Sequence, residues 1–147
     1  MIKTVWLNGF EDLSDSHYIR RKVFIGEQGV PEKLEMDELD GECMHIVLYS
    51  DGKPAGTGRV LLSGDDFILG RIAVLPEFRG QRLGDLIVRL MIRKAYLSGG
   101  VKQHVHAQLS ARGFYEKLGF TACGDIYTDA GMEHIDMVHF GDVSGNC

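Results

Sequence analysis

One short run of this sequence combines the residue types that an anion site requires. It reads Arg79-Gly80-Gln81-Arg82-Leu83-Gly84-Asp85 and lies between an apolar run at 67–74 and a helix predicted at about 82–98. The first N–H groups of a helix have no partner within it, and the helix dipole adds partial positive charge there. Glycines let the backbone approach a ligand closely, and arginines suit phosphate. The run therefore predicts a pyrophosphate cradle.

Two common nucleotide-binding motifs do not fit the sequence. The chain contains no G-x-x-x-x-G-K-[S/T], which excludes a phosphate-binding P-loop. The pair Gly56-Thr57-Gly58 would need a further glycine at Leu61 to match a dinucleotide fingerprint, and it opens a strand-like run instead of a helix.

Two amphipathic helices are predicted to position the residues that could do chemistry. The helix after the cradle has an apolar stripe at i, i+3, i+4, i+7 and i+8, formed by Leu83, Leu86, Ile87, Leu90 and Met91. A shorter helix presents Ala111, Phe114, Tyr115 and Leu118 on one face and ends at Gly119, where a C′ glycine belongs.

The cradle resembles the acyl-CoA motif [Q/R]-x-x-G-x-[G/A] of the GNAT N-acyltransferases. Arg79 and Gly84 match its outer positions, whereas Arg82 lies where that family usually has glycine. The preceding Ile72-Ala73-Val74 and Leu75-Pro76-Glu77-Phe78-Arg79 resemble the family's strand-to-cradle junction. The segment Gly113-Phe114-Tyr115-Glu116-Lys117-Leu118-Gly119-Phe120 resembles its second motif, in the same order and spacing.

Further segments resemble the ElaA-like (YjcF-like) branch of the GNAT N-acetyltransferases, so that the resemblance covers nearly the whole chain. They are residues 20–31, Ala107-Gln108 and residues 129–137. The resemblance implies an α/β (α+β) fold in one domain over residues 1–147. It also implies a mixed, mostly antiparallel sheet of about six to seven strands with about four helices, and a splay between the strands at 67–74 and 101–108. Gly70 is the expected bulge site for this splay.

The resemblance also implies acetyl-CoA as cofactor, a small-molecule or protein amine as acceptor, and direct acyl transfer. It assigns Tyr115 as general acid toward the departing sulfur, although a purely core role for this aromatic residue stays open. The implied cofactor-binding residues are Ile72, Ala73, Val74, Arg79, Gly80, Gln81, Arg82, Leu83, Gly84, Asp85, Phe114 and Lys117. The implied acceptor-binding residues are Phe24, Glu27, Gln28, His45, Gln108 and His134.

The general base stays open at this point. Many relatives carry a glutamate on the strand before the cradle, but this chain reads Leu69-Gly70-Arg71-Ile72 there, without a carboxylate. The candidates are Glu27, His45, His106, His134 or a chain of waters, and His104 and His139 are weaker ones. An imidazole suits the task because histidine titrates near working pH.

Composition limits the class of protein. The chain has 147 residues, is 44% hydrophobic and is long enough for one globular domain. No apolar run is long enough for a membrane span, the N-terminus does not resemble a secretory signal, and no cysteine spacing suggests a metal site. The three cysteines, Cys43, Cys123 and Cys147, fit reduced thiols, so we expect a cytoplasmic protein.

The net charge of −5 is concentrated in one segment. Residues 32–42 hold six carboxylates and one lysine, a net charge of −5, so the remainder of the chain is neutral. Such a chain is a poor polyanion ligand, and we expect no binding to nucleic acid. The acidic segment is either a solvated loop or an electrostatic guide for a cationic amine.

Alternation and turn residues predict the other elements. We expect strands near 2–8, 44–50, 54–62, 67–74, 101–108, 120–127 and 134–140, and a first helix from Ser14 to about Ile25 with Ser14 or Asp15 as N-cap. Asp51-Gly52 predicts a hairpin turn.

Two competing functions stay open. A non-catalytic acyl-CoA-binding module would keep the cradle without needing Tyr115. Arg20 to Phe24 also resembles the N-terminus of acyl-homoserine-lactone synthases, but the cradle and short helix favour an N-acetyltransferase. Members of the GNAT family often form dimers, so a homodimer is possible.

Overall fold

The computed structural model describes residues 1–143, and Cys147 lies outside them. Within these residues the chain forms eight strands. They are β1 (Ile2–Asn8), β2 (Cys43–Ser50), β3 (Lys53–Ser63), β4 (Asp66–Val74), β5 (Lys102–Gln108), β6 (Thr121–Ala122), β7 (Tyr127–Asp129) and β8 (Met132–Phe140). One sheet contains them all in the order β1-β2-β3-β4-β5-β8-β6, with β7 paired to β8. Every neighbouring pair is antiparallel except β4–β5, so the expected mixed sheet is confirmed, with one or two strands more than predicted.

Four α-helices flank the sheet in the described part of the chain: α1 (Ser14–Arg20), α2 (Glu32–Glu35), α3 (Leu83–Leu97) and α4 (Arg112–Lys117). Helix α1 continues directly into a π-helix (Arg21–Glu27), and a 3₁₀-helix occupies Glu38–Glu42. Among residues 1–143, no helix has the length and apolar character that crossing a membrane requires.

The two faces of the sheet carry separate apolar cores. Helices α3 and α4 cover the larger core, in which Ile87, Val88 and Met91 are fully buried. Helix α1 and the π-helix cover the smaller core, around Ile19 and Val23. The predicted stripe of α3 is confirmed at its centre, whereas Leu86 and Leu90 are only partly buried at its margin.

Close packing of α3 on β3 explains the glycine pair that failed as a nucleotide motif. A Cβ atom at Gly56 would lie 2.7 Å from Ile87 Cδ1, and one at Gly58 would lie 2.5 Å from Met91 Sδ. Side chains at these two positions would push the helix away from the sheet. The glycines therefore serve helix packing.

Two local predictions differ from the structure, and a third is confirmed. The N-cap of α1 is Leu13, and the N–H of Ser14 donates instead to Asp12 Oδ1 at 2.9 Å. The predicted strand at 120–127 is two short strands, because Gly124 takes a φ of +89° between them. The predicted hairpin turn is confirmed, with φ of +48° at Asp51 and +82° at Gly52.

Candidate active site

The cradle presents a row of free backbone donors. Helix α3 begins at Leu83, and the preceding Arg82 caps it in the left-handed conformation, with φ +61° and ψ 28° and no side-chain capping bond. Gly80 has a φ of +82°, which a residue with a side chain rarely adopts. Within residues 1–143, none of the six N–H groups from Gly80 to Asp85 donates a hydrogen bond to protein. Free donors at the start of a helix are what an anion site requires, so the geometry is compatible with the predicted cradle.

A cavity of about 600 Å³ adjoins these donors, and we call it the cradle cavity. Four cationic side chains line it, those of Arg79, Arg82, Arg89 and Lys117, against one carboxylate, Asp85. Arg89 is absent from the sequence prediction, although its place one turn after Asp85 gives an i, i+4 ion pair of 2.7 Å. The other residues that line this cavity are Val74, Gly80, Leu83, Gly84, Phe114 and Leu118.

Arg79 lines the cradle cavity but is already engaged by protein. Its Nε donates to the carbonyl of Val74 at 3.0 Å, and its two terminal nitrogens donate to the carboxylate of Glu27 at 2.9 and 2.6 Å. Hydrogen bonds from Arg79 lower the pKa of Glu27. Glu27 lines neither the cradle cavity nor the second cavity, which lies between β4 and β5, in contrast to its predicted place in the acceptor pocket. The pair therefore joins the end of the π-helix to the cradle.

The predicted splay between β4 and β5 is present. The two strands pair only from Phe67 to Leu69, opposite residues 103–105. Beyond Leu69, β4 pairs with β3 alone among the described strands, so the edge of Ile72–Val74 that faces β5 has no strand partner, although the Val74 carbonyl accepts from Arg79. Of these three predicted cofactor residues, Ala73 has its side chain buried in the smaller core, which α1 covers. Gln81, another predicted cofactor residue, does not line the cradle cavity or the cavity at the splay.

The bulge that opens the splay is at Arg71, one residue after the predicted Gly70. The register of β3 and β4 shifts between Thr57 and Arg59, and Arg71 takes a φ of +50°. Its guanidinium donates to the carbonyl of Leu34 and to Asp37, at 3.0 and 3.1 Å. We infer that these tertiary contacts hold a left-handed arginine where local preference favours glycine.

A second cavity, of about 390 Å³, lies at the splay, and we call it the splay cavity. Predicted acceptor residues line it: Phe24, Gln28, Gln108 and His134. Gln108 Nε2 donates to Gln28 Oε1 at 2.8 Å and so links β5 to the end of the π-helix. The cavity is also lined by residues that the sequence prediction omitted or assigned elsewhere, among them Glu35, Gly70, Arg71, Ile72, His106, Tyr115, Asp129 and Met132.

His45 does not belong to this cavity, in contrast to its predicted role. It lies on β2, fully buried, and its Nε2 is 2.9 Å from the carbonyl oxygen of Asp40. Burial lowers the pKa of His45, so the imidazole stays neutral near pH 7. Its place in the interior of the sheet makes it a structural residue.

The acidic segment is neither fully solvated nor a free negative surface. Three of its carboxylates, Glu35, Asp37 and Asp40, turn inward and pair with three arginines, Arg20, Arg59 and Arg71. Burial raises the pKa of Asp40, but hydrogen bonds and charge from Arg20 and Arg59 outweigh it and lower the pKa to about 2. The resulting cluster is close to neutral.

Glu35 and Arg71 extend this cluster to the wall of the splay cavity. The Oε2 atom of Glu35 lies 2.8 Å from Arg20 Nε and 3.0 Å from Arg71 Nε. Burial raises the pKa of Glu35, and the two arginines oppose that shift. No local pattern predicts this pairing, because the partners lie 15 and 36 positions apart.

Tyr115 connects the two cavities through α4. It lines the splay cavity, whereas its neighbour Phe114 lines the cradle cavity, with ring centroids 5.1 Å apart. Tyr115 is only 8% exposed, and burial raises its pKa to about 12. In the described part of the chain its hydroxyl makes no hydrogen bond to protein. The hydroxyl therefore remains protonated and available to a ligand.

Comparison with known proteins agrees with this geometry. Residues 10–139 match the family model described as an acetyltransferase (GNAT) domain. YjcF of Bacillus subtilis, an uncharacterized N-acetyltransferase, is 37% identical over 139 residues, which are 93% of this chain and 99% of YjcF. ElaA of Escherichia coli is 27% identical over 124 residues, 81% of each chain.

Solved structures share the fold. The crystal structure of Escherichia coli ElaA superposes with a TM-score of 0.85 at 24% identity and covers 95% of this chain and 99% of that one. An acyl-CoA N-acyltransferase from Pseudomonas aeruginosa gives a TM-score of 0.86 at 23% identity, with the same coverage. Because the family model matches most of the chain and YjcF is 37% identical over nearly its whole length, the chain belongs to the GNAT family of N-acetyltransferases.

Proposed function

We propose that this protein transfers the acetyl group of acetyl-CoA directly to a primary amine of a small molecule or a protein, with Tyr115 as general acid. The observation that carries the proposal is the row of six free N–H groups from Gly80 to Asp85. They adjoin a cavity lined by four cationic side chains and one carboxylate, which suits the diphosphate of coenzyme A.

Two elements, strand β4 and helix α4, contribute residues to both cavities, which suits transfer between two bound molecules. Strand β4 contributes Val74 to the cradle cavity and Ile72 to the splay cavity. Acetyl-CoA would supply the activated acyl group as a thioester. The free edge of Ile72–Val74 would bind the pantetheine arm as a partner strand does, and one of its N–H groups would polarise the carbonyl.

Tyr115 supports the chemistry as a proton donor. Tyr115 is a buried residue that lines the splay cavity, next to Phe114, which lines the cradle cavity. With its pKa raised to about 12 by burial, the phenol donates a hydrogen bond to the leaving sulfur while negative charge develops there. Phe24, Gln28, Gln108 and His134 would line the amine side.

The direct test is thiol release from acetyl-CoA with a panel of polyamines, aminoglycosides, amino acids and peptide N-termini, with the acetylated product identified by mass. We expect turnover with at least one amine and a kcat at least ~10²-fold lower for Y115F, with the KM for acetyl-CoA little changed. Y96F is the matched control, because Tyr96 lies on α3 and lines neither cavity. Binding of acetyl-CoA without turnover on any amine would contradict the proposal.

The pH profile gives a second test of Tyr115. Because burial raises its pKa to about 12, the hydroxyl stays protonated far above neutral pH. We expect no basic limb from Tyr115 in kcat up to about pH 10, where an ordinary phenol would already titrate. A limb near pH 10 that disappears in Y115F would contradict the buried environment.

A further inference from the structure

His106 on β5 lines the splay cavity and is paired with Asp136 on β8. These strands pair so that His106 lies directly opposite Asp136, and side chains of such pairs share one face of the sheet. Asp136 Oδ1 lies 2.6 Å from His106 Nδ1 and 2.6 Å from the hydroxyl of Tyr127. Three residues from three strands thus meet at one carboxylate oxygen.

The charge of Asp136 determines the tautomer of His106. Burial raises the pKa of Asp136, but hydrogen bonds from His106 and Tyr127 outweigh it and lower the pKa. An ionised carboxylate only accepts hydrogen bonds, so His106 Nδ1 must carry the proton that it shares with Asp136. In neutral His106 the lone pair is therefore on Nε2, which makes no hydrogen bond to protein within residues 1–143.

His106 is placed to serve an incoming amine. It lines the splay cavity together with Tyr115, and its side chain is 53% exposed. A base in this position reaches the acceptor on one side and solvent on the other. The exposure allows a captured proton to leave the enzyme after each cycle.

The other candidate bases are less suited. Glu27 is bound to Arg79, and His45 lies outside the cavity. Glu35 lines the cavity, but its carboxylate contacts Arg20 and Arg71.

His134 also lines the cavity, but its Nδ1 lies 2.9 Å from the carbonyl oxygen of Met132. A neutral carbonyl stabilises an imidazolium less than a carboxylate does. Of the groups compared, His106 is the one histidine at the cavity with a carboxylate partner.

We propose that His106 is the general base of the transfer and that Asp136 and Tyr127 are its positioning residues. This proposal rests on the proposed function. His106 Nε2 takes one proton from the acceptor ammonium, and the freed amine nitrogen bonds to the acyl carbon. As the amide N–C bond forms, the C–S bond breaks and Tyr115 supplies a proton to the sulfur. The second proton of the nitrogen passes to water, from which Tyr115 recovers its own, and His106 releases its proton to solvent.

The charged groups around His106 belong to several elements. Across the splay, Arg71 of β4 and Glu35 of α2 form an ion pair. Asp129 of β7 and His134 of β8 line the same cavity. Asp136 is the one of these groups that contacts the His106 ring directly, so it is the group that orients the ring.

The test compares H106N with H104N in steady-state assays of the amine that the wild-type enzyme acetylates. His104 is a matched control on the same strand, 3.2 Å from Asp66 and outside the splay cavity. We expect H106N to lower kcat/KM for the amine by ~10²-fold and to lose the acid limb of the pH–rate profile, whereas H104N retains both. Calorimetric affinity for acetyl-CoA should stay unchanged in H106N.

Two further variants make the test sharper. Added imidazole should restore part of the rate to H106A, and it should not affect Y115F. D136N should lower the rate and shift the acid limb while the fold persists, which a purely structural role of Asp136 would not produce. The proposal is overturned if the wild-type enzyme turns over and H106N keeps both its rate and its acid limb. Absence of turnover in the wild-type enzyme with every amine overturns the proposed function, and this proposal with it.

Discussion

Arg82 gives the sharpest test of the cradle geometry. It lies where the GNAT motif usually has glycine, and it takes φ +61° and ψ 28°, the conformation that glycine adopts without strain. A residue with a Cβ atom costs roughly 1–2 kcal/mol in this region. Glycine removes that strain but adds about 0.4–1 kcal/mol of unfolded-state entropy. We therefore expect R82G to be more stable than R82A by about 1 kcal/mol.

The assay is urea unfolding of both variants, supported by thermal melts, in which 1 kcal/mol corresponds to roughly 3 °C for a chain of this size. The same pair of substitutions at Arg93 is the control. Arg93 is a half-exposed residue in the interior of α3, where R93G should be less stable than R93A by about 1 kcal/mol. If the glycine and alanine variants have the same order of stability at Arg82 as at Arg93, the left-handed conformation of Arg82 is refuted.

The charge of Arg82 can be tested with the same proteins. Its side chain is 84% exposed and pairs only with Asp85, at 3.1 Å. Both substitutions remove the same positive charge from the cradle cavity, so both should weaken acetyl-CoA binding to the same degree. The loss should shrink as salt is added. Loss of binding in R82A alone would mean that loop geometry, and not charge, decides affinity.

Two other predictions concern stability. The pKa of Asp40, about 2 in the folded protein and 3.8 in the unfolded chain, implies that its carboxylate contributes about 2 kcal/mol above pH 4, which is lost as the pH falls through about 2. In urea unfolding from pH 7 to pH 2, the free energy of unfolding should therefore fall less steeply for D40N than for the wild-type protein. Equal slopes of this free energy against pH would contradict the pairing of Asp40 with the arginines. G58A should lose about 1–3 kcal/mol in thermal melts, because its new methyl group meets Met91 Sδ at 2.5 Å. G113A is its control: it meets no atom within 4 Å in α4 and should gain about 0.5 kcal/mol, so a loss in both variants would contradict the packing argument.

Local patterns explain what the sequence could predict. The cradle depends on a glycine, a helix start and an amphipathic stripe within about a dozen residues, all of which are visible in the chain itself. Tyr115 could be placed on the correct face because α4 is a short helix with an apolar stripe and a C′ glycine, Gly119, at φ +95°. These features do not depend on distant contacts.

The features that the sequence analysis did not predict depend on contacts between residues far apart in the chain. The buried arginines contact carboxylates 15 to 36 residues away, so an acidic run that could be a solvated loop forms a nearly neutral cluster. The contact of His106 with Asp136 follows from the β5–β8 register, which alternation within one strand does not determine. The π-helix at Arg21–Glu27 has no residue pattern of its own, yet it places Phe24 and Gln28 at the splay cavity.

The central claim is that the backbone donors at Gly80–Asp85 bind the diphosphate of coenzyme A. Calorimetric titration of the wild-type protein with acetyl-CoA, and in parallel with S-acetylpantetheine, tests it most directly, because the second ligand has the thioester arm without the diphosphate. We expect saturable one-to-one binding of acetyl-CoA and no measurable heat with S-acetylpantetheine at the same concentration. Equal affinities for the two ligands, or no heat with acetyl-CoA at millimolar concentration, would contradict the account.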